Sequence, residues 1–450
     1  MMKPTLTHYL AAFILLSLLW SCYSEPKTQQ EATYLGVPVD AIEQEMDALI
    51  HIFFPTAIDS NGGYWTNFEY DWTRSEAQPK MLVTQARGLW TAARASLVYP
   101  HNDTLKQAAH HGYQFLTKEM WDTENGGFYL YATDKTASTF KHKMIYAHAF
   151  AIYALATYSK INPDPAVKDW LQKAFMWMEE VSHDTLYLGY YNLVLPDNLS
   201  QEDIQKIGWG NPKWKDQNAS IHILEAFTTL YEVMPTPLVK QRLKEMLHLV
   251  RDSMVNEAGY LHLYFTNNWQ PISHRDSSRA YILEHLKYDH RSFGHDIETA
   301  YLLLEASKIL YGEYDTQTLA VAKQLIDQTL AYGFDKNYFG LHDRGYQFAG
   351  SDSLEIVGPQ KVWWAQAEAW HSLALAAELY PNEPLYQQAF QQMWNYIQTH
   401  IIDHEQGGWY ASGLDINPDS KTAKKAQEWK GIYHDGRSLM QVWEYAQRKQ

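Results

Sequence analysis

A histidine and a glutamate three residues apart stand at the start of a predicted helix. His295 and Glu298 belong to the stretch SFGHDIETAYLLLEA, residues 292–306, which is otherwise largely apolar. Positions i and i+3 share a helix face, so the Glu298 carboxylate can hydrogen bond one imidazole nitrogen and leave the other free. The pair is therefore predicted to form half of an active site that moves protons.

A repeated motif indicates how the helix of His295 is positioned. A glycine with aromatic neighbours recurs at steps of 64, 62, 70, 81 and 68 residues, at Gly63, Gly127, Gly189, Gly259, Gly340 and Gly408. Before the motif comes an amphipathic segment, for example residues 166–181, 237–255 or 384–402. After it comes a segment of helical apolar periodicity, and these six segments are predicted to begin near Gln85, Tyr146, Asn218, Gly294, Trp364 and Tyr433.

Two helices in each of six units predict an all-α fold, an (α/α)6 barrel of six helical hairpins. The short glycine-aromatic pieces are predicted to form small β-hairpins at one end. In such a barrel the inner helices begin at the same mouth. The polar residues at their starts should therefore converge on one pocket.

Four longer motifs occur at these helix starts. They read NASIHILEAF at 218–227, FGHDIE at 293–298, KVWWAQAE at 361–368 and YHDGR at 433–437. In this order they resemble the N-acylglucosamine 2-epimerase superfamily, and most of all its cellobiose and mannobiose 2-epimerases, from about residue 40 to the end. The resemblance implies reversible inversion at carbon 2 of a reducing-end aldose, through ring opening and an enediolate, with no cofactor.

The resemblance also implies roles for individual residues. His295 and His434 would be the two bases on opposite faces of carbon 2, since an imidazole can both accept and return a proton near neutral pH. His222 would assist ring opening, Glu298 would orient His295, and Arg87 would stabilise the enediolate oxygen. Substrate-binding roles would fall to Trp363, Trp364, Trp429, Asn218, Glu368, Tyr146 and Arg437. Of the adjacent pair Trp363 and Trp364, one is expected to lie in the core.

The substrate is left open, between a β-1,4-disaccharide such as cellobiose or mannobiose and an N-acylglucosamine. Other reactions are open too. An aldose-ketose isomerase would reprotonate the same enediolate at carbon 1, and a glycoside hydrolase of the same barrel class could use Asp296, Glu298 and Glu368 as its acid and base. A catalytically silent sugar-binding protein is a further alternative, but it would be expected to lose Arg87, His295 or His434.

Metal and nucleic acid are not expected as ligands. The pairs His222/Glu225 and His295/Glu298 resemble a di-metal carboxylate pattern, but such sites add two further carboxylates, and epimerisation requires no metal. With 37 basic and 52 acidic residues the net charge is -15, and no basic cluster is apparent. The 17 Trp and 32 Tyr favour a sugar-binding cleft instead.

The N-terminal residues resemble a bacterial lipoprotein signal. Lys3 precedes an apolar run at 9–20, and Cys22, the single cysteine, follows after Ser21. We predict a signal peptide at 1–21, lipidation at Cys22, a flexible tether at 22–35 and the epimerase domain at 36–450. This predicts an exported protein anchored by lipid in the cell envelope, on its periplasmic or surface side. An ordinary signal peptide with a chance cysteine is the alternative.

Overall fold

The computed structural model describes residues 32–136, 142–196, 200, 202, 207, 211–351 and 353–449. The predicted signal peptide, Cys22 and most of the predicted tether lie outside this part of the chain. Thirteen α-helices account for about half of the described residues. None of these helices has the length and apolarity that a membrane span requires.

Six helices form an inner ring. They are buried at most of their positions, and the second of them at every position, so they belong inside a core. They begin within three residues of the predicted starts. These inner helices are α2 (Leu82–Val98), α4 (Ile145–Ser159), α6 (Gln217–Val233), α9 (Phe293–Tyr311), α11 (Trp363–Leu379) and α13 (Tyr433–Gln447).

Six amphipathic helices form an outer ring. They are α1 (Val39–Phe53), α3 (Asp103–Phe115), α5 (Pro165–Ser182), α7 (Pro237–Leu249), α10 (Thr316–Tyr332) and α12 (Pro384–Tyr396). Proline at the first position starts three of them, where its missing N–H costs no helical hydrogen bond. Three continue into a π-helical turn, at Leu116–Met120, Val250–Met254 and Ile397–Ile401. A short helix, α8 (Arg279–Glu284), lies in the connection before α9.

The inner ring closes on itself. Each inner helix packs against the next along the chain, and α13 returns to pack against α2. The outer partner of α13 is α1, so the last hairpin combines the two ends of the folded chain. This closed ring of six hairpins confirms the predicted (α/α)6 barrel.

Short antiparallel strands lie next to the starts of the inner helices. They pair as β1 (Thr33–Tyr34) with β2 (Val37–Pro38), β3 (Lys143–Met144) with β4 (Leu193–Val194), and β5 (Lys215–Asp216) with β6 (Tyr264–Phe265). A three-stranded sheet has the order β7 (Arg291–Ser292), β8 (Arg344–Tyr346), β9 (Glu355–Gly358). Because β3, β5 and β7 each lead directly into an inner helix, they hold those helix starts at the mouth of the barrel.

The folded domain begins earlier than predicted. Tyr34, assigned to the flexible tether at 22–35, is buried, and its hydroxyl donates to Glu378 over 3.0 Å. Its ring also packs edge-on against Phe390, with centroids 5.9 Å apart. A tether residue would keep its side chain in water, so the last residues of the predicted tether belong to the barrel.

A polar contact that the sequence analysis missed recurs in five of the six units. In each, a lysine placed before the inner helix donates to an aspartate in the glycine-aromatic turn. We call these contacts lysine clasps: Lys80–Asp59, Lys143–Asp122, Lys215–Asp184, Lys361–Asp335 and Lys425–Asp403. The fourth unit departs from this, with Asn256 in the turn and Arg291 at the lysine position. Arg291 pairs instead with Asp296, 3.0 Å away.

Candidate active site

The starts of the inner helices surround a cavity of about 230 Å³ at one mouth of the barrel. Ten of the twelve residues predicted to catalyse or bind substrate line it: Arg87, Tyr146, Asn218, His222, His295, Glu298, Trp363, Trp364, Trp429 and His434. The other two, Glu368 and Arg437, lie behind this wall. The helix starts therefore converge as the repeat predicts.

His434 is held by a residue of the neighbouring inner helix. Its Nδ1 lies 2.7 Å from Oε1 of Glu368, and both side chains are buried. Burial raises the pKa of Glu368, and the charge of Arg437 opposes the rise. As a carboxylate paired with Arg437, Glu368 only accepts, so Nδ1 of His434 carries the hydrogen and Nε2 keeps a lone pair. Burial, and then the charge of Arg87, lower the pKa of His434 well below its usual range. The imidazole is therefore neutral at pH 7 and able to accept a proton.

His295 has a different partner from the one predicted. Its Nδ1 lies 2.7 Å from Oγ of Ser292, on β7. Burial, with smaller effects of nearby histidines that include His222 and His434, lowers the pKa of His295 to about 3. Like His434, it is a neutral imidazole whose Nδ1 is occupied, and in the tautomer that donates from Nδ1 to Ser292 its Nε2 is available as a base.

Glu298 does not orient His295, which corrects the prediction. Its Oε1 accepts from Nη2 of Arg437 over 2.7 Å, while Oε2 has no hydrogen-bond partner in the described part of the chain. Burial and then the neighbouring Glu368 raise the pKa of Glu298. The attraction between Glu298 and the buried Arg437 guanidinium is stronger than a hydrogen bond between Glu298 and His295 would be. Glu298 therefore offers the cavity a carboxyl group that takes up a proton easily.

Arg437 and Glu368 were predicted to bind substrate, and the structure assigns both a supporting position instead. The Arg437 guanidinium lies 2.7 Å from carboxylate oxygens of both Glu298 and Glu368, and it also donates to Glu225 and to the Tyr433 hydroxyl. Five donors in a rigid fork suit this number of acceptors. The arginine thus balances three buried carboxylates behind the cavity wall.

His222 keeps the partner that its spacing predicts. Its Nδ1 lies 2.8 Å from Oε2 of Glu225, three residues further along α6. Burial alone would raise the pKa of Glu225, but Arg437 and then His222 lower it to about 2. A permanent carboxylate therefore orients the His222 ring, which packs edge-on against Tyr146 with centroids 5.3 Å apart.

Arg87 is fixed in the cavity wall from several directions. One Nη donates to the Tyr146 hydroxyl over 3.1 Å, and the other to the Trp429 carbonyl over 3.4 Å. The guanidinium also lies 4.4 Å from the ring centroid of Phe150 and 4.9 Å from that of Tyr433. Held this way, it presents a preorganised positive charge to the cavity.

Both adjacent tryptophans line the cavity, so the expectation that one of them lies in the core is wrong. Trp363 and Trp364 stand in the first turn of α11, where the helix end opens on the mouth and both indoles can reach it. The Trp364 ring lies 4.8 Å from His295 and 5.8 Å from His434. The two imidazoles therefore share one aromatic neighbour.

The arrangement bears on the metal and hydrolase alternatives. Ligand atoms of Glu298, Glu368 and His434 lie within 4.8 Å of one another, but both carboxylates already pair with Arg437. A metal ion there would have to displace a buried guanidinium. Asp296, one of three carboxylates considered for hydrolysis, accepts from the Leu261 N–H and pairs with an arginine outside the cavity. Of those three, Glu298 alone lines it.

Comparison with known proteins agrees with this site. The profile of the N-acylglucosamine 2-epimerase (GlcNAc 2-epimerase) family matches residues 63–436. The chain belongs to this family. The matched segment contains the starts of all six inner helices and every residue that lines the cavity.

Individual members of the N-acylglucosamine 2-epimerase family align over nearly their whole length. A cellobiose 2-epimerase from Ruminococcus albus is 29% identical over 417 residues, covering 90% of this chain and 98% of its own. A D-mannose isomerase from Marinomonas mediterranea is 25% identical over 396 residues, covering 87% and 94%. The structure of cellobiose 2-epimerase from Bacillus thermoamylovorans superposes with a TM-score of 0.75 at 24% identity, covering 90% and 99%. The chain is accordingly a carbohydrate epimerase or isomerase.

Three contacts in the site of this family member were not predicted from its sequence. Ser292 precedes His295 by three residues, a spacing that could have suggested the contact. Tyr433, whose hydroxyl donates to Glu225 over 2.9 Å, was noted only as the start of a helix. The contact between Glu368 and His434 joins residues 66 positions apart on two helices, and no local pattern could reveal it.

Proposed function

We propose that this chain is a cofactor-independent 2-epimerase that inverts carbon 2 of the reducing-end aldose of a β-1,4-disaccharide such as cellobiose or mannobiose. The observation that carries this proposal is that two neutral imidazoles, those of His295 and His434, lie beside the same indole ring, that of Trp364. In each histidine Nδ1 is already engaged in a hydrogen bond. The cellobiose 2-epimerases among the relatives support the choice of substrate.

The reaction follows from the two imidazoles. After ring opening, the carbonyl at carbon 1 acidifies the hydrogen on carbon 2. Because both imidazoles are neutral in the free protein, one of them takes up a proton from solvent before the transfer. Nε2 of the neutral histidine removes the carbon-2 proton and leaves an enediolate, and the cationic histidine delivers its proton to the opposite face of carbon 2. The carbonyl then reforms, and the histidine that removed the proton has become the cation for the reverse direction. One neutral and one protonated imidazole are thus used in each turnover.

Arg87 is proposed to stabilise the enediolate. General acid-base catalysis supplies about two to four orders of magnitude in rate, which is little for a weak carbon acid. A preorganised donor at the developing oxyanion adds roughly two to three more. Arg87 is a fixed cation on the cavity wall, and His222, oriented by Glu225, is placed to assist ring opening.

Aldose-ketose isomerisation is the second candidate. Protonation of the same enediolate at carbon 1 gives a ketose, with the same base and the same arginine. The similarity to the D-mannose isomerase of Marinomonas mediterranea, which aligns over 87% of this chain, supports this reaction as the second candidate. A free monosaccharide such as mannose would then be the substrate.

The test is incubation of the purified protein in heavy water with cellobiose, mannobiose, mannose and N-acetylglucosamine, followed by NMR. Deuterium at carbon 2 together with the carbon-2 epimer and an intact glycosidic bond supports the epimerase. Deuterium at carbon 1 of a ketose product supports the isomerase instead. Release of monosaccharide from a disaccharide would contradict both.

A membrane anchor remains a separate proposal, supported by the sequence at 1–22 alone. Cys22 is proposed to be lipidated after cleavage of residues 1–21, which places the barrel in the cell envelope. Radiolabelled palmitate should enter the full chain in bacterial cells. It should not enter Cys22→Ala, and labelling of that variant would refute the anchor.

A further inference from the structure

A second cavity, of about 150 Å³, lies against the glycine-aromatic turn of the fourth unit. It is built from the turn at 258–262, the segment at 273–291, the end of α10 and the hairpin of β8 and β9. It has no lining residue in common with the cavity of the histidines. Its function therefore has to be sought separately.

Arg291 contributes a buried donor to this second cavity. In the other five units the lysine at this position pairs with an aspartate of the turn. In the fourth unit the turn has Asn256 at the place of the aspartate, so Arg291 meets no charged partner there. The guanidinium instead donates from Nε to Asp296 over 3.0 Å, and Nη2 has no hydrogen-bond partner in the described part of the chain. The side chain is 4% exposed, so water reaches it poorly. A buried donor of this kind favours a ligand that accepts.

Asp289 contributes a buried acceptor. Its Oδ2 accepts from Ser273 Oγ, from the His274 N–H and from the Tyr346 hydroxyl, at 3.0, 2.6 and 3.0 Å. These three donors fix the carboxylate. Its Oδ1 is buried and hydrogen bonds no described residue, although Asp289 lines the cavity. A ligand there would therefore meet both a donor and an acceptor.

Tyrosines supply the rest of the wall. The Arg291 guanidinium lies 5.2 Å from the ring centroid of Tyr260 and 5.4 Å from that of Tyr332. Tyr332 is 47% exposed, and Tyr346 also lines the cavity. Flat rings beside fixed polar groups match the apolar C–H faces and the hydroxyls of a sugar.

We propose that this cavity is a second carbohydrate site that holds one neutral sugar ring. A hydroxyl group both donates and accepts, so adjacent hydroxyls can satisfy Asp289 and Arg291 together. The charges of the wall balance, because Arg291 pairs with Asp296 and the wall also contains one further arginine and one carboxylate, Arg275 and Asp289. An anion would meet the Asp289 carboxylate, and a cation would meet the Arg291 guanidinium. The site is independent of the reaction proposed above, since the two cavities are separate.

The experiment uses the full chain with His434→Ala, which should slow epimerisation by about two to four orders of magnitude and lies outside the second cavity. Cellobiose, mannobiose, mannose and N-acetylglucosamine are titrated one at a time and followed by saturation-transfer NMR. Two variants are compared in this background. Asp289→Asn keeps the shape and replaces the unpartnered acceptor by a donor, and Tyr332→Ala removes the exposed ring. Tyr311→Ala, an equally exposed tyrosine of α9 that lines neither cavity, is the control.

The expected result is a binding component for at least one of the four sugars that Asp289→Asn and Tyr332→Ala weaken at least tenfold, with Tyr311→Ala unchanged. When His434 is left unchanged, proteins with Asp289→Asn or Tyr332→Ala should epimerise dilute substrate at the same initial rate as the original protein. If no sugar shows a component sensitive to both variants, the second site is refuted, whether or not the enzyme epimerises. Failure of the heavy-water test would refute the proposed reaction and leave this titration intact.

Discussion

Glu368 on α11 holds His434 on α13, with 2.7 Å between Oε1 and Nδ1. The contact fixes the tautomer of the histidine and directs its lone pair to Nε2. It also places a negative charge beside the imidazolium that forms when Nε2 accepts a proton. The residue that orients a catalytic-site imidazole thus comes from the neighbouring unit of the barrel.

Replacement of Glu368 by Gln should lower kcat at least tenfold with a smaller effect on KM. The amide keeps the shape but loses the charge that stabilises the imidazolium. Initial rates of epimer formation measure the effect. Glu383→Gln, at an exposed glutamate before α12, is the control and should leave the rate unchanged. Equal losses in both variants would argue against an orienting role for Glu368.

Single-base variants should separate proton exchange from inversion. With His295→Ala or His434→Ala, epimer formation should fall by about two to four orders of magnitude, because the second face loses its acid. The remaining base should still exchange the carbon-2 hydrogen in one epimer, namely the one whose carbon-2 hydrogen points toward that base. In heavy water, each variant should therefore label one of the two epimers faster than it interconverts them, and the two variants should label opposite epimers. Labelling of the same epimer by both would contradict bases on opposite faces.

Arg437→Met should destabilise the fold by about 3–5 kcal/mol, because it leaves buried carboxylates without their cation. Urea unfolding followed by tryptophan fluorescence measures the loss. Arg279→Met, which removes an exposed ion pair with Glu355, is the control and should have no measurable effect. If the two variants unfold at the same urea concentration, the carboxylate cluster does not depend on Arg437.

His148→Gln should reduce the acid sensitivity of the fold. Nε2 of His148 accepts from the Phe128 N–H over 2.7 Å, and burial lowers the pKa of His148 to about 3. Between pH 6.5 and 3 the unfolded chain therefore binds a proton that the folded chain refuses, so stability falls as the pH falls, by about 1.4 kcal/mol per pH unit for this residue.

The repeat itself suggests glutamine for this test. Gln85 and Gln366 occupy the same place in their units, and each accepts from the turn N–H over 2.7 Å through Oε1. The variant should fold at pH 7 and lose less stability than the original protein between pH 6.5 and 5. Urea unfolding at several pH values measures the difference. An unchanged dependence on pH would show that other buried histidines dominate.

The fold could be predicted because its signals are local and repeated. The glycines at 63, 127, 189, 259, 340 and 408 take positive φ values, which explains why this residue type recurs in the turns. The apolar segments after them are long enough to identify as helices. The helix starts and the family resemblance together identified ten residues of the cavity.

The internal organisation of the site could not be predicted in the same way. Two segments have the same spacing, yet His222 contacts Glu225 whereas Glu298 contacts Arg437, 139 residues away. Helical spacing shows which contacts are possible, but a buried charge selects the partner with the stronger interaction. That partner lies on another helix, so its identity depends on how the ring closes.

The position of Arg437 on the last inner helix has a consequence for folding. The carboxylates that it balances belong to α6, α9 and α11, so those three helices carry uncompensated negative charge into the core until α13 docks. Docking of α13 also joins segments almost a whole chain length apart, a contact with a high cost of loop closure. Closure of the ring, neutralisation of its core and arrival of His434 therefore coincide, and an incompletely folded barrel has no assembled active site.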